Sequence, residues 1–147
     1  MQLPIWRWNM TDEPATATYA VAEPFEQAIR SLRKVLTGGN LEITGELDMS
    51  ARIRQRLLIS TAPCRVLFVD ARASVLENRA ADPYTAALMP LHIVVSARGS
   101  QTEIHVLRAS PADRGGLDRP EATAFRTLLK ETAQAIERIG MRATLGA

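Results

Sequence analysis

Both histidines of the 147-residue chain fall in one segment of alternating polar and apolar residues. A two-residue turn at Gly99-Ser100 would pair Val94 with His105 across a hairpin. His92 and His105 then become diagonal neighbours, about 7–8 Å apart on one face. Glu103 shares that face, because side chains alternate across a strand. Two histidines and a carboxylate can bind a metal ion or transfer a proton, or can form a pH-sensitive surface for a small ligand, a plain sheet surface or a dimer contact.

Two further charged residues could line the same region. Asp70 and Arg72 follow the apolar run 65–69, which is typical of an interior strand. An Asp–Arg pair at a strand end can hold a loop in place or contact a ligand. A register change of one residue in the hairpin would move one histidine to the other face. The predicted surface therefore depends on the pairing.

The sequence contains none of the common catalytic motifs. We find no phosphate-binding glycine loop, no Gly-x-Ser-x-Gly, no His-Glu-x-x-His and no Cys-x-x-Cys. Cys64 is the only cysteine, so an intrachain disulfide is impossible and a reducing cytosol is a suitable compartment. With no signal-like N-terminus, a cytoplasmic location is expected. The sequence identifies no cofactor.

The charge balance indicates which partners to expect. Lysine and arginine number 18 and acidic residues 16, a formal net charge of +2, which is too small for a nucleic-acid-binding field. No stretch approaches the roughly 18 apolar residues of a membrane span. We expect neither a nucleic-acid nor a membrane partner, and interpret Arg52, Arg54 and Arg56 as the solvated face of a short helix.

Hydrophobic periodicity predicts the elements that must position these residues. Residues 1–15 form an N-terminal arm, whose Trp6 and Trp8 dock on the domain or on a second subunit, and residues 16–147 form one α+β domain. The predicted elements are a strand at 16–21, a helix from Pro24 to a left-handed stop at Gly38-Gly39, a strand at 41–47, a short helix capped by Asp48 or Ser50, a strand at 65–69, a helix at 73–81, hairpin strands at 91–97 and 102–108, a loop at 111–116 and a long helix from Pro120 to Ile139. This order predicts a single mostly antiparallel sheet of about five or six strands, with helices packed on one face.

Alternation also predicts which side chains face the helices. In the hairpin, these are Leu91, Ile93, Val95, Thr102, Ile104 and Val106. In the strand at 41–47, Leu41, Ile43, Gly45 and Leu47 share one face and Glu42, Thr44 and Glu46 share a solvated one.

Several segments between Pro24 and Pro111 carry a family resemblance. They are Pro24-Phe25-Glu26-Gln27-Ala28, Leu41-Glu42-Ile43-Thr44-Gly45-Glu46-Leu47-Asp48, Arg65-Val66-Leu67, Asp82-Pro83 and Leu88-Met89-Pro90-Leu91-His92-Ile93-Val94-Val95. In content and order they resemble the domain-of-unknown-function 302 family. The resemblance implies a β-α-β(4)-α domain of the TATA-binding-protein-like kind that forms a homodimer. It implies no reaction.

The sequence departs from the family at two motifs. Where the family tends to have Cys-Asn-Pro, this chain has Asp70-Ala71-Arg72, and where the family has Pro-Cys-Asn, this chain has Pro90-Leu91-His92. Both family cysteines are absent, so the resemblance does not extend to thiol chemistry or thiolate metal binding. Cys64 lies too far along the chain to be an obvious substitute.

The residues favour a non-enzymatic domain that binds a small ligand or a protein partner on its uncovered sheet face, and the resemblance implies that this domain is dimeric. The candidate surface is Asp70, Arg72, His92, Glu103 and His105. The alternative is an enzyme or a metal-binding protein that uses His92 and His105 as acid and base or as ligands.

Overall fold

The computed structural model describes residues 16–71, 91–107 and 120–143. These residues form β1 (Thr16–Val21), α1 (Phe25–Thr37), β2 (Leu41–Asp48), α2 (Met49–Leu57), β3 (Cys64–Ala71), β4 (Leu91–Arg98), β5 (Gln101–Leu107), α3 (Pro120–Glu137) and β6 (Met141–Arg142). The predicted arm at 1–15 with Trp6 and Trp8, the helix at 73–81 and the loop at 111–116 lie outside the described residues. No helix of the described residues is long and apolar enough to cross a membrane.

The strands form one antiparallel sheet in the order β2-β3-β4-β5-β1-β6. The predicted α+β class is therefore confirmed. The hairpin register is also the predicted one, since Val94 pairs with His105 and Ser96 with Glu103. Gly99 begins the turn with a φ of 61°, a conformation that glycine adopts without the steric penalty of a side chain.

The hydrophobic core lies between α1, α3 and one face of the sheet. Residues spaced three and four apart form the buried stripe of α1. Its members are Ala28, Ile29, Leu32 and Leu36. The sheet contributes Tyr19, Val21, Leu41, Leu67, Val69, Leu91, Ile93, Val95, Ile104 and Val106, and α3 contributes Leu128, Ala135 and Ile136. Burial of each large aliphatic side chain contributes about 1.5–3 kcal/mol.

The end of α1 differs from the prediction. Gly38 has φ −74° and ψ −10°, so the predicted left-handed stop is wrong there. The Gly38 N–H still donates to the Lys34 carbonyl over 3.1 Å. A Cβ atom on Gly38 would lie 3.1 Å from the same oxygen. Glycine is suited to this position because a side chain would crowd the Lys34 carbonyl oxygen, and not because the backbone needs a positive φ.

A β-bulge changes the faces of β2. Ile43 pairs with Val69 and Gly45 with Phe68, which leaves Thr44 as an extra residue. Because one inserted residue reverses every later side chain, Leu47 points away from the helices. The prediction that Leu47 shares a face with Leu41 and Ile43 is therefore wrong.

Glu46 confirms this reversal. Its carboxylate accepts hydrogen bonds from Arg33 of α1, at 2.7 Å from Nε and 2.6 Å from Nη2. The Arg33 hydrogen bond lowers the pKa of Glu46, and the same contact raises the pKa of Arg33. The bulge thus turns an acidic residue towards α1 and fixes it to the helix.

Two polar side chains begin α2. Asp48 is the N-cap, since its Oδ1 accepts a hydrogen bond from the Ala51 N–H over 2.9 Å. Of the two predicted caps, Asp48 therefore performs the capping. The buried Ser50 hydroxyl donates to the same oxygen over 2.8 Å.

Candidate binding surface on the open sheet face

The face of the sheet opposite α1 and α3 carries the predicted hairpin residues. Cross-strand pairing aligns Leu47, Val66, Val94, His105 and Thr18 in one row across β2, β3, β4, β5 and β1. Parallel rows place Phe68 beside His92 and place Ser96 beside Glu103. We call these nine residues the open face.

His105 is held from both sides of its ring. Its Nδ1 atom lies 3.0 Å from the Thr18 hydroxyl, and its Nε2 atom lies 3.3 Å from the Ser96 hydroxyl. Each hydroxyl can donate or accept, so either neutral tautomer can be satisfied. The imidazole is half-buried and its orientation is fixed by strands on both flanks.

Glu103 extends this arrangement to the hairpin turn. One carboxylate oxygen lies 3.5 Å from His105 Nε2, and the other accepts a hydrogen bond from Arg98. That hydrogen bond raises the pKa of the Arg98 guanidinium. Arg98, Glu103, His105, Ser96 and Thr18 form one connected group, which we call the polar cluster.

The structure places the predicted histidines as neighbours. His92 is exposed and pairs with Phe68 across β3 and β4. The observed hairpin register makes His92 diagonal to His105 on the open face, at a backbone separation of about 7–8 Å. One histidine is fixed by hydroxyls and the other is presented to solvent.

Asp70 occupies a different environment. It follows Phe68 by two residues on β3, which puts it diagonal to His92, but only 3% of its surface is exposed. Its Oδ1 atom accepts a hydrogen bond from the Ala71 N–H over 2.7 Å. Arg72 lies outside the described residues. Glu103 and His105 are thus in direct contact, while Asp70 lies beside His92 near the end of β3.

An apolar patch adjoins the polar cluster. Leu47, Val66, Phe68 and Val94 lie together on the open face and are half-buried. The run 66–69 is apolar without interruption, so β3 carries apolar side chains on both of its faces. This composition is typical of a strand covered on both sides.

Sequence reasoning missed part of the site. Ser96 was predicted to lie opposite Glu103 but was not included in the candidate surface, and Arg98 could have been found from the same pairing because it lies beside the turn. Thr18 could not, because its contact depends on β1 lying next to β5, a strand pair separated by most of the chain. Leu47 was assigned to the wrong face, because the sequence does not reveal the bulge at Thr44.

The chemistry available to the open face is limited by these contacts. Within the described ranges, no group of three or more histidine, cysteine, aspartate and glutamate side chains is arranged to hold a metal ion. A metal ion at His105 Nε2 would have to displace the Ser96 hydroxyl.

Cys64 borders the open face opposite Ser96. Burial, followed by the charge of Asp48, raises the pKa of its thiol. A thiol of raised pKa is a poor nucleophile at neutral pH.

Known proteins resemble this chain in sequence pattern and in fold. The family model described as "Domain of unknown function DUF302" matches residues 17–141. The crystal structure of an uncharacterized conserved protein DUF302 from Bacillus stearothermophilus superposes with a TM-score of 0.72 at 15% sequence identity, covering 86% of this chain and 99% of that chain. No curated protein gives a significant match. At this identity the structural likeness shows the fold alone.

Proposed function

The chain belongs to the DUF302 family, as its sequence predicts, and from this premise we propose that it is a non-enzymatic binding domain. In this proposal the open face binds a small ligand or a partner protein, and two copies of the chain form a homodimer. The single observation that supports it is the apolar patch of Leu47, Val66, Phe68 and Val94 beside the fixed polar cluster. A cytoplasmic location is part of the same proposal.

Physical chemistry favours a covered open face. Apolar surface removed from water contributes about 25 cal/mol per Å², so a partner that covers the patch gains affinity there. The polar cluster contributes orientation, because its hydrogen-bonding groups are already held in place before binding. A surface with an apolar centre and a satisfied polar edge is typical of a binding site rather than of a catalytic one.

Homodimer formation is the form of binding that the family resemblance implies. Two copies related by a two-fold axis would present the same patch to each other. Each apolar patch would then be covered by its equivalent. His92 would lie at the border of the contact, where it remains available to a small ligand.

Native mass spectrometry of the untagged protein is the first test. Twice the chain mass with a retained extra mass supports a ligand-binding dimer, and twice the bare mass supports a dimer that binds other partners. A bare monomer would refute the homodimer.

Matched variants then locate the contact. Val66→Asn on the open face is expected to produce a monomer, whereas Val35→Asn on α1 is expected to remain a dimer. Both valines are half-buried, and Val35 packs on the other side of the sheet. Circular dichroism verifies that each variant is folded. Dimers of equal stability from both variants would place the contact elsewhere.

Two polar variants test the ligand site. His92→Ala and Glu103→Gln should change ligand or partner binding and leave the unfolding transition nearly unchanged, because neither side chain belongs to the core. Unaltered binding in both variants would remove the site from the open face.

The neighbouring histidines support one alternative, an enzyme or a metal-binding protein that uses His92 and His105. The observed diagonal register favours it, and the hydroxyl contacts of His105 oppose it. Metal content near one ion per chain in untagged protein, lost in His92→Ala, would support the alternative over simple binding.

A further inference from the structure

An exposed aliphatic cluster lies at the end of α2, away from the groups discussed so far. Leu57, Leu58 and Ile59 are 64%, 88% and 51% exposed. They are part of a continuous exposed stretch, 54–63, of which 58–63 has no regular secondary structure. Large aliphatic side chains exposed side by side lose the free energy that burial would provide.

The backbone holds one of these side chains outward. Leu58 is the C-cap of α2, with φ 56° and ψ 29°, and it is the only residue other than glycine with a positive φ in the described part of the chain. The left-handed conformation is unfavourable for leucine. This left-handed C-cap, whose N–H donates to the Arg54 carbonyl over 3.0 Å, ends α2 and leaves the leucine side chain in solvent.

Arginines surround this cluster. Arg52, Arg54 and Arg56 are exposed on α2, and no ion pair joins them to an acidic group within the described residues. The sequence contains no aspartate or glutamate from 49 to 69. At 100° per residue, Arg52 and Arg56 lie on one side of the helix and Arg54 lies nearly opposite.

We propose that the α2 tip, comprising Arg52, Arg54, Arg56 and 57–59, binds the surface of an anionic lipid bilayer. The three aliphatic side chains enter the boundary between headgroups and acyl chains. The arginines bind phosphate groups around them, which suits a diffuse anionic surface better than one carboxylate on a protein. From sequence alone these arginines are interpreted as a solvated face and no membrane partner is expected; the exposed aliphatic neighbours change both interpretations.

Vesicle co-sedimentation tests this proposal directly. The untagged protein should bind vesicles of phosphatidylcholine with 30% phosphatidylglycerol at low salt, and should bind pure phosphatidylcholine vesicles far less. The binding should weaken as salt screens the arginines. Each Arg→Gln change on α2 is expected to reduce the partition coefficient about fivefold. Leu57→Ser combined with Leu58→Gly should reduce it by about tenfold or more.

Matched controls use exposed residues elsewhere. Arg30→Gln and Arg138→Gln remove equivalent charges, and Met141→Ser removes a side chain that is 80% exposed. These controls should retain binding within about twofold. Absence of binding to the anionic vesicles, or equal losses in the control and α2 variants, would overturn the proposal. Loss of self-association instead of vesicle binding in the leucine variant would also overturn it, by assigning the tip to a protein contact.

The membrane-binding proposal is independent of the proposal that the open face binds a partner. Val66→Asn should leave vesicle binding intact, and the leucine variant should leave the open-face dimer intact, so each proposal can fail alone.

Discussion

Gly140→Ala is expected to destabilise the domain through a steric conflict between β1 and the connection from α3 to β6, where Gly140 lies. A Cβ atom on residue 140 would lie 2.9 Å from the Ala20 carbonyl oxygen and 2.9 Å from Val21 Cγ2. A normal carbon–carbon contact is about 3.5–4.0 Å, so the two elements must separate by several tenths of an ångström. Overpacking of this kind costs about 1–3 kcal/mol. For a domain of this size, about 2 kcal/mol lowers the Tm by about 6 °C.

Two other glycines separate the steric effect from the conformational one. A Cβ atom on Gly39 or on Gly99 meets nothing within 4 Å. Gly99 has a φ of 61°, so Gly99→Ala is expected to cost about 1 kcal/mol through backbone strain alone. Gly39 has no positive φ. Gly39→Ala should therefore be neutral or stabilising by about 0.5 kcal/mol, because alanine restricts the unfolded chain.

Differential scanning calorimetry and urea denaturation of the three variants provide the measurement. The expected order of stability is Gly39→Ala above Gly99→Ala above Gly140→Ala. A Gly140→Ala variant that melts within about 1 °C of the parent would refute the close approach of Gly140 to β1, because the cost scales with that overlap.

Three further predictions concern single contacts. Glu46→Gln should cost about 0.5 kcal/mol at pH 7, as for other surface ion pairs. Because the Arg33 contact lowers the pKa of Glu46, this cost is present above the unfolded-state pKa of Glu46 and should vanish as the pH falls through the lowered, folded-state pKa. Urea denaturation at pH 7 and at an acidic pH below that value can check this, and an equal loss of stability at the acidic pH would contradict it. Thr102→Val should cost about 1 kcal/mol, since its buried hydroxyl donates to the Glu23 carbonyl over 2.8 Å; an unchanged denaturation midpoint would exclude that bond. Cys64 should react with iodoacetamide more slowly than free cysteine at pH 7.5, because burial raises its pKa; a rate equal to that of free cysteine would refute the burial.

The hairpin shows why part of the fold is readable from sequence. A Gly-Ser turn between two alternating segments leaves one register that buries Ile93, Val95 and Ile104 together. Shifting the register by one residue would expose all of one strand's apolar side chains. The same argument applies to α1, whose apolar stripe repeats at helical spacing. Local patterns therefore predicted the faces of the hairpin and of α1 correctly.

Features that depend on contacts between different elements could not be predicted from the sequence. The bulge at Thr44 reverses Leu47 and Glu46, although the sequence alternates perfectly through it. The Arg33 contact with Glu46, made from a different element, accompanies the reversal. The two-residue β6 was also absent from the predictions, because its pairing with β1 depends on how α3 returns the chain to the sheet. Thr18 became part of the polar cluster for the same non-local reason.

The edge strands of the sheet determine whether another chain can extend it by strand pairing. In the described part of the chain, the outermost strands are β2 and β6. An exposed strand border offers unpaired N–H and C=O groups as a template for another strand. The Thr44 bulge interrupts the regular pairing of β2, and at the other border the two-residue β6 pairs only with Tyr19 and Ala20 of β1. A bulged strand and a two-residue strand are both poor templates for strand addition, so the sheet borders disfavour end-to-end polymerisation into fibres.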